Sequence, residues 1–190
     1  MMAGLGHNHG PTMEKGGAWQ RFAWKKARAE LLPKMPIEVV RRRVRRAREL
    51  GIDYKSYAGI RAATGRDIIA LLFSSNALRL MKDAGIAPDR IVQLEAVTSA
   101  ELLAFVHVPF NAKLVVARND VLVRAERAPT IANNWRETRA KVLALKGALP
   151  ADGVVVVGET ALEADWSEAG RLAGFLPADQ YFNSVGSKPA

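Results

Sequence analysis

The chain has no cysteine. Disulfides, thiolate zinc sites, iron–sulfur clusters and a cysteine nucleophile are therefore excluded, and a reducing compartment fits. Histidine is almost as scarce. There are three, and two of them, His7 and His9, stand within the first ten residues. Any serine–histidine–acid system in the body of the chain must use His107, which lies between Val106 and Val108. A histidine in that setting reads first as a hydrogen-bonded core residue. Long apolar runs are missing too. The longest unbroken one, Ile68 to Phe73, is far shorter than the ~20 residues needed to span a bilayer. No basic segment followed by an apolar one opens the chain, so no secretory signal is visible. An arginine-rich amphipathic start would suit an organelle transit peptide, but Glu14, Glu30 and Glu38 oppose it. The expected location is the cytoplasm, with membrane contact the less favoured alternative.

Acidic residues are scarce where basic ones are dense. Residues 1–66 hold 15 Lys and Arg against 5 acids, a local charge of +10, which leaves 13 bases and 14 acids, or −1, for residues 67–190. Confinement of the excess to one end points to a polyanionic partner. The charge centres on Pro36 to Gly51, PIEVVRRRVRRARELG. Proline suits a first helical position and glycine a left-handed C-cap. Ile37, Val40, Val44 and Ala47 recur at helical spacing as one apolar stripe. Arg41, Arg42, Arg43, Arg45, Arg46 and Arg48 cover the rest, with no acid among them. A merely solvated face normally mixes both signs, and the planar guanidinium fork suits phosphate. The expectation is a non-enzymatic protein that binds nucleic acid, DNA or RNA, by its backbone.

Upstream, residues 18–32 read as a helix in which Trp19, Phe22 and Trp24 interleave with Arg21, Lys25, Lys26 and Arg28. Such rings stack on bases while the cations hold phosphates. Packing onto the domain is the plainer reading of the tryptophans. We take Trp19, Trp24, Lys25, Lys26 and Arg28 as candidate contacts beside the six arginines. Residues 1–17 read as a glycine-rich tail, in which a metal site at His7 and His9 would have to overcome the full ordering entropy.

Asp53 reads as the N-cap of a helix from Tyr54 to Ala63. Thr64 and Asp67 resemble a capping box for a very apolar helix from Gly65 to Ala84, interrupted by Ser74, Ser75 and Asn76. Arg90 to Val97 alternates like a strand. Leu102 to Val108 is helix or strand. Lys113 to Ala125 reads as a β-hairpin turning at Asn119-Asp120. Asn133 to Lys146 is a helix, Gly153 to Gly158 a buried strand, Glu163 to Phe175 a helix, and the remainder a loop. The expected fold is α+β: an N-terminal basic segment of three to four helices (18–87), then a small mixed α/β portion with a β-hairpin (88–178), between flexible tails at 1–17 and 179–190.

Catalytic signatures are thin. Asp120 with Glu126 and Arg127 has the residue types of a nuclease metal site, at generic spacing. Glu159, Glu163 and Asp165 cluster after a strand, which suits a hard cation or a helix dipole. Only Gly158-Glu159-Thr160 follows that strand, so no glycine-rich phosphate loop is signalled. No cofactor or metal is expected. The alternatives to backbone binding are an enzyme acting on nucleotides or nucleic acid through Asp120, Glu126 or Glu159, and a subunit whose acidic partner covers the arginines.

Overall fold

A computed structural model describes residues 35–183. The chain divides into two compact units, residues 1–40 and 41–190. Of the first, residues 35–40 are described and begin helix α1 (Ile37–Glu49). The second carries the end of α1 and everything after it: α2 (Tyr54–Thr64), β1 (Ala70–Ser74), α3 (Pro88–Glu95), β2 (Glu101–Val106), α4 (Ala112–Arg118), β3 (Arg124–Arg127), α5 (Trp135–Lys146), β4 (Val154–Gly158), α6 (Ala161–Gly170), β5 (Gly174–Pro177) and α7 (Ala178–Asn183).

The five strands form one parallel sheet in the order β3-β2-β1-β4-β5. Leu72 of β1 is in register with Leu103 of β2 and Val156 of β4. Parallel neighbours cannot be joined by a tight turn and need crossovers, which α3, α4, α5 and α6 supply. The chain works outward from β1 to β3, returns to lay β4 beside β1, and finishes at β5. This is an alternating, Rossmann-like α/β arrangement.

Side chains alternate across the sheet. Leu71, Phe73, Ala104, Val106, Val155 and Val157 face one core, packed by Ala47, Leu50, Tyr57, Leu94, Val115 and Tyr181 from α1, α2, α3, α4 and α7. Ala70, Leu72, Leu103, Phe105, Val154 and Val156 face the other, packed by Val142 and Leu145 of α5 and Trp166 of α6. Each large apolar side chain so covered contributes roughly 1.5–3 kcal/mol.

The α+β expectation is overturned by this sheet, and the reasons lie in particular residues. Ile68–Phe73 reads as a helix because it is apolar on every side. A central parallel strand covered on both faces carries the same signature, and β1 is that strand. Thr64 and Asp67 are no capping box. Gly65, at φ 71°, closes α2, and Asp67 is engaged by Arg46 and Tyr57. Most of the span Arg90–Val97 falls in helix α3, which starts on Pro88, ends at Glu95 and turns Arg90 and Leu94 inward. Leu102–Val106 belongs to a strand. The hairpin does not exist: Lys113–Arg118 is α4, capped by the Asn111 side chain accepting from the Lys113 and Leu114 amides. Asn119 is no turn residue either. It is buried, accepts from the Ile86 amide, and donates to the Ala84 and Val115 carbonyls. The last helix ends at Gly170 rather than Phe175, because Gly174–Pro177 pairs with β4. Ala178–Asn183 is helical where a loop is expected.

Candidate functional site

In a sheet of this order, strand direction of travel reverses between β1 and β4, and the crevice outside their carboxyl ends is the usual ligand position. The first residues past β1 are Ser75 and Asn76, and past β4 Glu159 and Thr160. Ser74 Oγ accepts from the Ala77 amide and Ser75 Oγ from the His107 amide. Both hydroxyls thereby set the exit of β1.

Glu163, in the first turn of α6, is fully buried here. Its Oε1 accepts from Asn76 Nδ2 at 2.8 Å and lies 3.2 Å from His107 Nε2. Its Oε2 accepts from the Glu159 and Thr160 amides at 2.6 and 3.0 Å. Thr160 returns the bond to the Glu163 amide, completing a capping box. Burial by itself would raise the carboxyl's pKa. The hydrogen bonds from His107, the two amides and Ser74 outweigh it and lower the group to about 2. An ionised Glu163 only accepts, so His107 donates from Nε2 and, when neutral, keeps Nδ1 as an acceptor. The imidazole is one quarter exposed and lies 5.7 Å, centroid to centroid, from Trp166. One carboxylate thus ties the ends of β1, β2 and β4 together.

Gly158 is required beside it. A Cβ there would come within 2.8 Å of Glu163 Oε2 and 2.9 Å of the Phe175 ring. Gly158→Ala is expected to cost about 1–3 kcal/mol in urea unfolding, the usual range for overpacking.

Next to this cluster a crevice of about 350 Å³ opens, walled by Gly158, Thr160 and Ala161 on one side and by Phe175, Pro177 and Ala178 on the other. Arg79 and Arg90 enter it, with Glu159 and Asp179 on its lining. Arg79 follows β1 in a left-handed backbone conformation, φ 49°. Arg90 is 94% buried. Its guanidinium lies 3.9 Å over the Phe182 ring, and its Nε makes no hydrogen bond, although Asp89 stands 3.5 Å away. Burial lowers its pKa from the ordinary guanidinium value.

The arginine helix occupies the opposite end of the sheet. At ~100° per residue, Arg41, Arg42, Arg45 and Arg48 share one face within about 120°, and all four are exposed. Arg43 and Arg46 lie toward the core side and are partly covered. Arg46 belongs to the fold. Its Nε donates to Asp67 at 3.0 Å, its Nη1 to Glu49 at 3.2 Å, and its Nη2 to the Ile68 and Ser99 carbonyls at 2.8 and 3.0 Å. Apart from Glu49 on α1 itself, these acceptors precede β1 and β2, so Arg46 fastens α1 to the amino edge. Among the described residues no carboxylate pairs with Arg42, Arg43, Arg45 or Arg48. Arg46→Met should cost about 2 kcal/mol in chemical unfolding, because it removes the one donor group shared by Asp67 and the Ile68 and Ser99 carbonyls. Arg45→Gln should stay within about 0.5 kcal/mol, as for an exposed site.

The other sequence candidates scatter. Asp120, Glu126 and Glu159 are all exposed. Asp120 precedes β3, Glu126 lies on β3 at the sheet edge, and Glu159 follows β4, three strands along the sheet. Of Glu159, Glu163 and Asp165, only Glu163 turns inward. Among the described residues no group of three acids or histidines is placed to hold a metal. Trp19, Trp24, Lys25, Lys26, Arg28, His7 and His9 lie outside the described residues. No described helix is long and apolar enough to cross a membrane. Sequence reasoning missed Arg90 and the partnership of Glu163 with His107 and Asn76. The only local signal was the Thr160-x-x-Glu163 spacing of a capping box.

No protein-family model, no curated protein and no solved structure matches the chain.

Proposed function

We propose that this protein associates with nucleic acid, DNA or RNA, by gripping the phosphate backbone through the exposed face of α1, and that it does so without catalysing a reaction. The carrying observation is the division of labour within one helix. Arg46 is committed to the fold, whereas Arg42, Arg45 and Arg48 point outward together with no carboxylate among the described residues to neutralise them. Like charges at helical spacing repel, so the face is relieved when an outside anion supplies the counter-charge. Arg41 shares that face. Trp19, Trp24, Lys25, Lys26 and Arg28 would extend the contact on the N-terminal side. The scattering of Asp120, Glu126 and Glu159 gives the carboxylate-enzyme alternative no support. The cytoplasm is the compartment that best fits a chain without cysteine.

Purification at low salt tests the reading. Nucleic acid should travel with the full chain, raise its 260/280 absorbance ratio, and leave at high salt as counterions compete. An acidic protein co-purifying at a low 260/280 ratio would transfer the face to a protein partner and overturn the proposal.

A further inference from the structure

The crevice at the carboxyl end of β4 lies away from the α1 face proposed above for backbone binding. Its contents are unusual for a merely structural hollow. Arg90 is 94% buried, and among the described residues none of its guanidinium nitrogens donates a hydrogen bond to the protein. Buried donors are almost always satisfied. The ion pair of Arg90 with Asp89 is loose, 3.5 Å from Nε, and leaves the planar fork of the two terminal nitrogens for a bidentate acceptor.

The second feature is the start of α6, a helix of 10 residues. Its first-turn amides lack intrahelical acceptors and carry the positive end of the helix dipole. The Glu163 carboxylate takes up the amides just before the helix, at Glu159 and Thr160. The Ala161 and Leu162 amides that follow have no acceptor among the described residues, and Ala161 lines the crevice. Arg79 enters the same space from the loop after β1. Glu159 and Asp179 on the lining disfavour a bare polyanion. As carboxylates they are acceptors only, which suits a ligand that also carries hydroxyls.

We infer that this crevice binds the phosphate of a small, hydroxyl-bearing phosphate monoester, held by Arg90, Arg79 and the first-turn amides of α6. No glycine-rich loop is needed, because the buried arginine supplies the donors that such a loop would otherwise present. The volume, about 350 Å³, lies at the small end of ordinary ligand sites.

The test uses ribose 5-phosphate as probe and ribose as control, followed by amide chemical shifts in the ¹⁵N-labelled full chain. Ribose 5-phosphate should shift the Ala161 and Leu162 resonances saturably, at about millimolar concentration, and ribose should not. Arg90→Met keeps the buried stem and removes the fork; it should weaken binding by about tenfold or more. Ala161→Pro is an independent check. Proline is favoured at the first helical position, and Thr160 already has the extended conformation that a following proline requires, φ −119° and ψ 157°. It deletes one amide donor and should likewise weaken binding several-fold. R42Q/R45Q/R48Q should leave the shifts intact, which separates this site from the nucleic-acid face. Absence of any saturable shift overturns the inference, and so does a shift that both Arg90→Met and Ala161→Pro leave unchanged.

Discussion

Glu163→Ala should cost about 4 kcal/mol of folding stability, more than any other single exchange at the carboxyl edge. The loss has two sources: the Asn76 amide, His107 Nε2 and two backbone amides would be left without their acceptor, and a cavity would open under α6. Stranded buried donors cost ~1–3 kcal/mol each before relaxation. Glu163→Gln retains the volume and isolates the charge. A fall in pKa from 4.5 to about 2 corresponds to ~3 kcal/mol at 1.36 kcal/mol per pKa step. Because folding lowers this pKa, the stabilisation is complete above the ordinary value of 4.5 and disappears as pH falls through about 2. Urea unfolding of the wild type from neutral pH down to about pH 2 should show that component, and Glu163→Gln should lack it. Superimposable pH profiles for the two proteins would mean that the carboxylate does not carry the carboxyl edge.

The second large effect concerns binding. R42Q/R45Q/R48Q should lower affinity for duplex or single-stranded nucleic acid roughly a hundredfold at low salt, at about 1 kcal/mol for each surface contact removed. The loss should be the same for every sequence, because phosphate contacts carry no base information. Stability should hardly change, since these three side chains make no ion pair with a described carboxylate. The triple lysine variant keeps the charge and loses the fork, so it should fall between the two.

The contrast between Arg45 and Arg46 marks what could be read in the sequence. The helix, the Gly51 cap at φ 67° and the buried Ile52 were all legible, because they depend on local chemistry, although the helix starts at Ile37 with Pro36 just before it. So was the Asp53 cap of α2, and so was β4, whose four valines have few other uses. That Arg46 serves the fold was not legible. Its partner Asp67 is 21 residues away and its carbonyl acceptors at Ile68 and Ser99 lie 22 and 53 away, brought near only by the sheet. The same limit hid the Glu163 cluster, whose members are separated by 56 and 87 residues. The sheet itself was hidden for another reason. In β1, burial on both faces erases the alternation that distinguishes a strand from a buried helix. In the Asn119 segment, a residue type common in turns serves instead as a buried clamp, and its local preference is overridden by three hydrogen bonds.

The central claim is that three outward guanidiniums on one helix displace counterions from a phosphate chain. The slope of log affinity against log salt measures that number. With ~0.9 counterion released per phosphate neutralised on a duplex, the wild-type slope should be steeper than that of R42Q/R45Q/R48Q by about 2.7. Parallel lines for the two proteins, or binding by the wild type that is indifferent to salt, would contradict it.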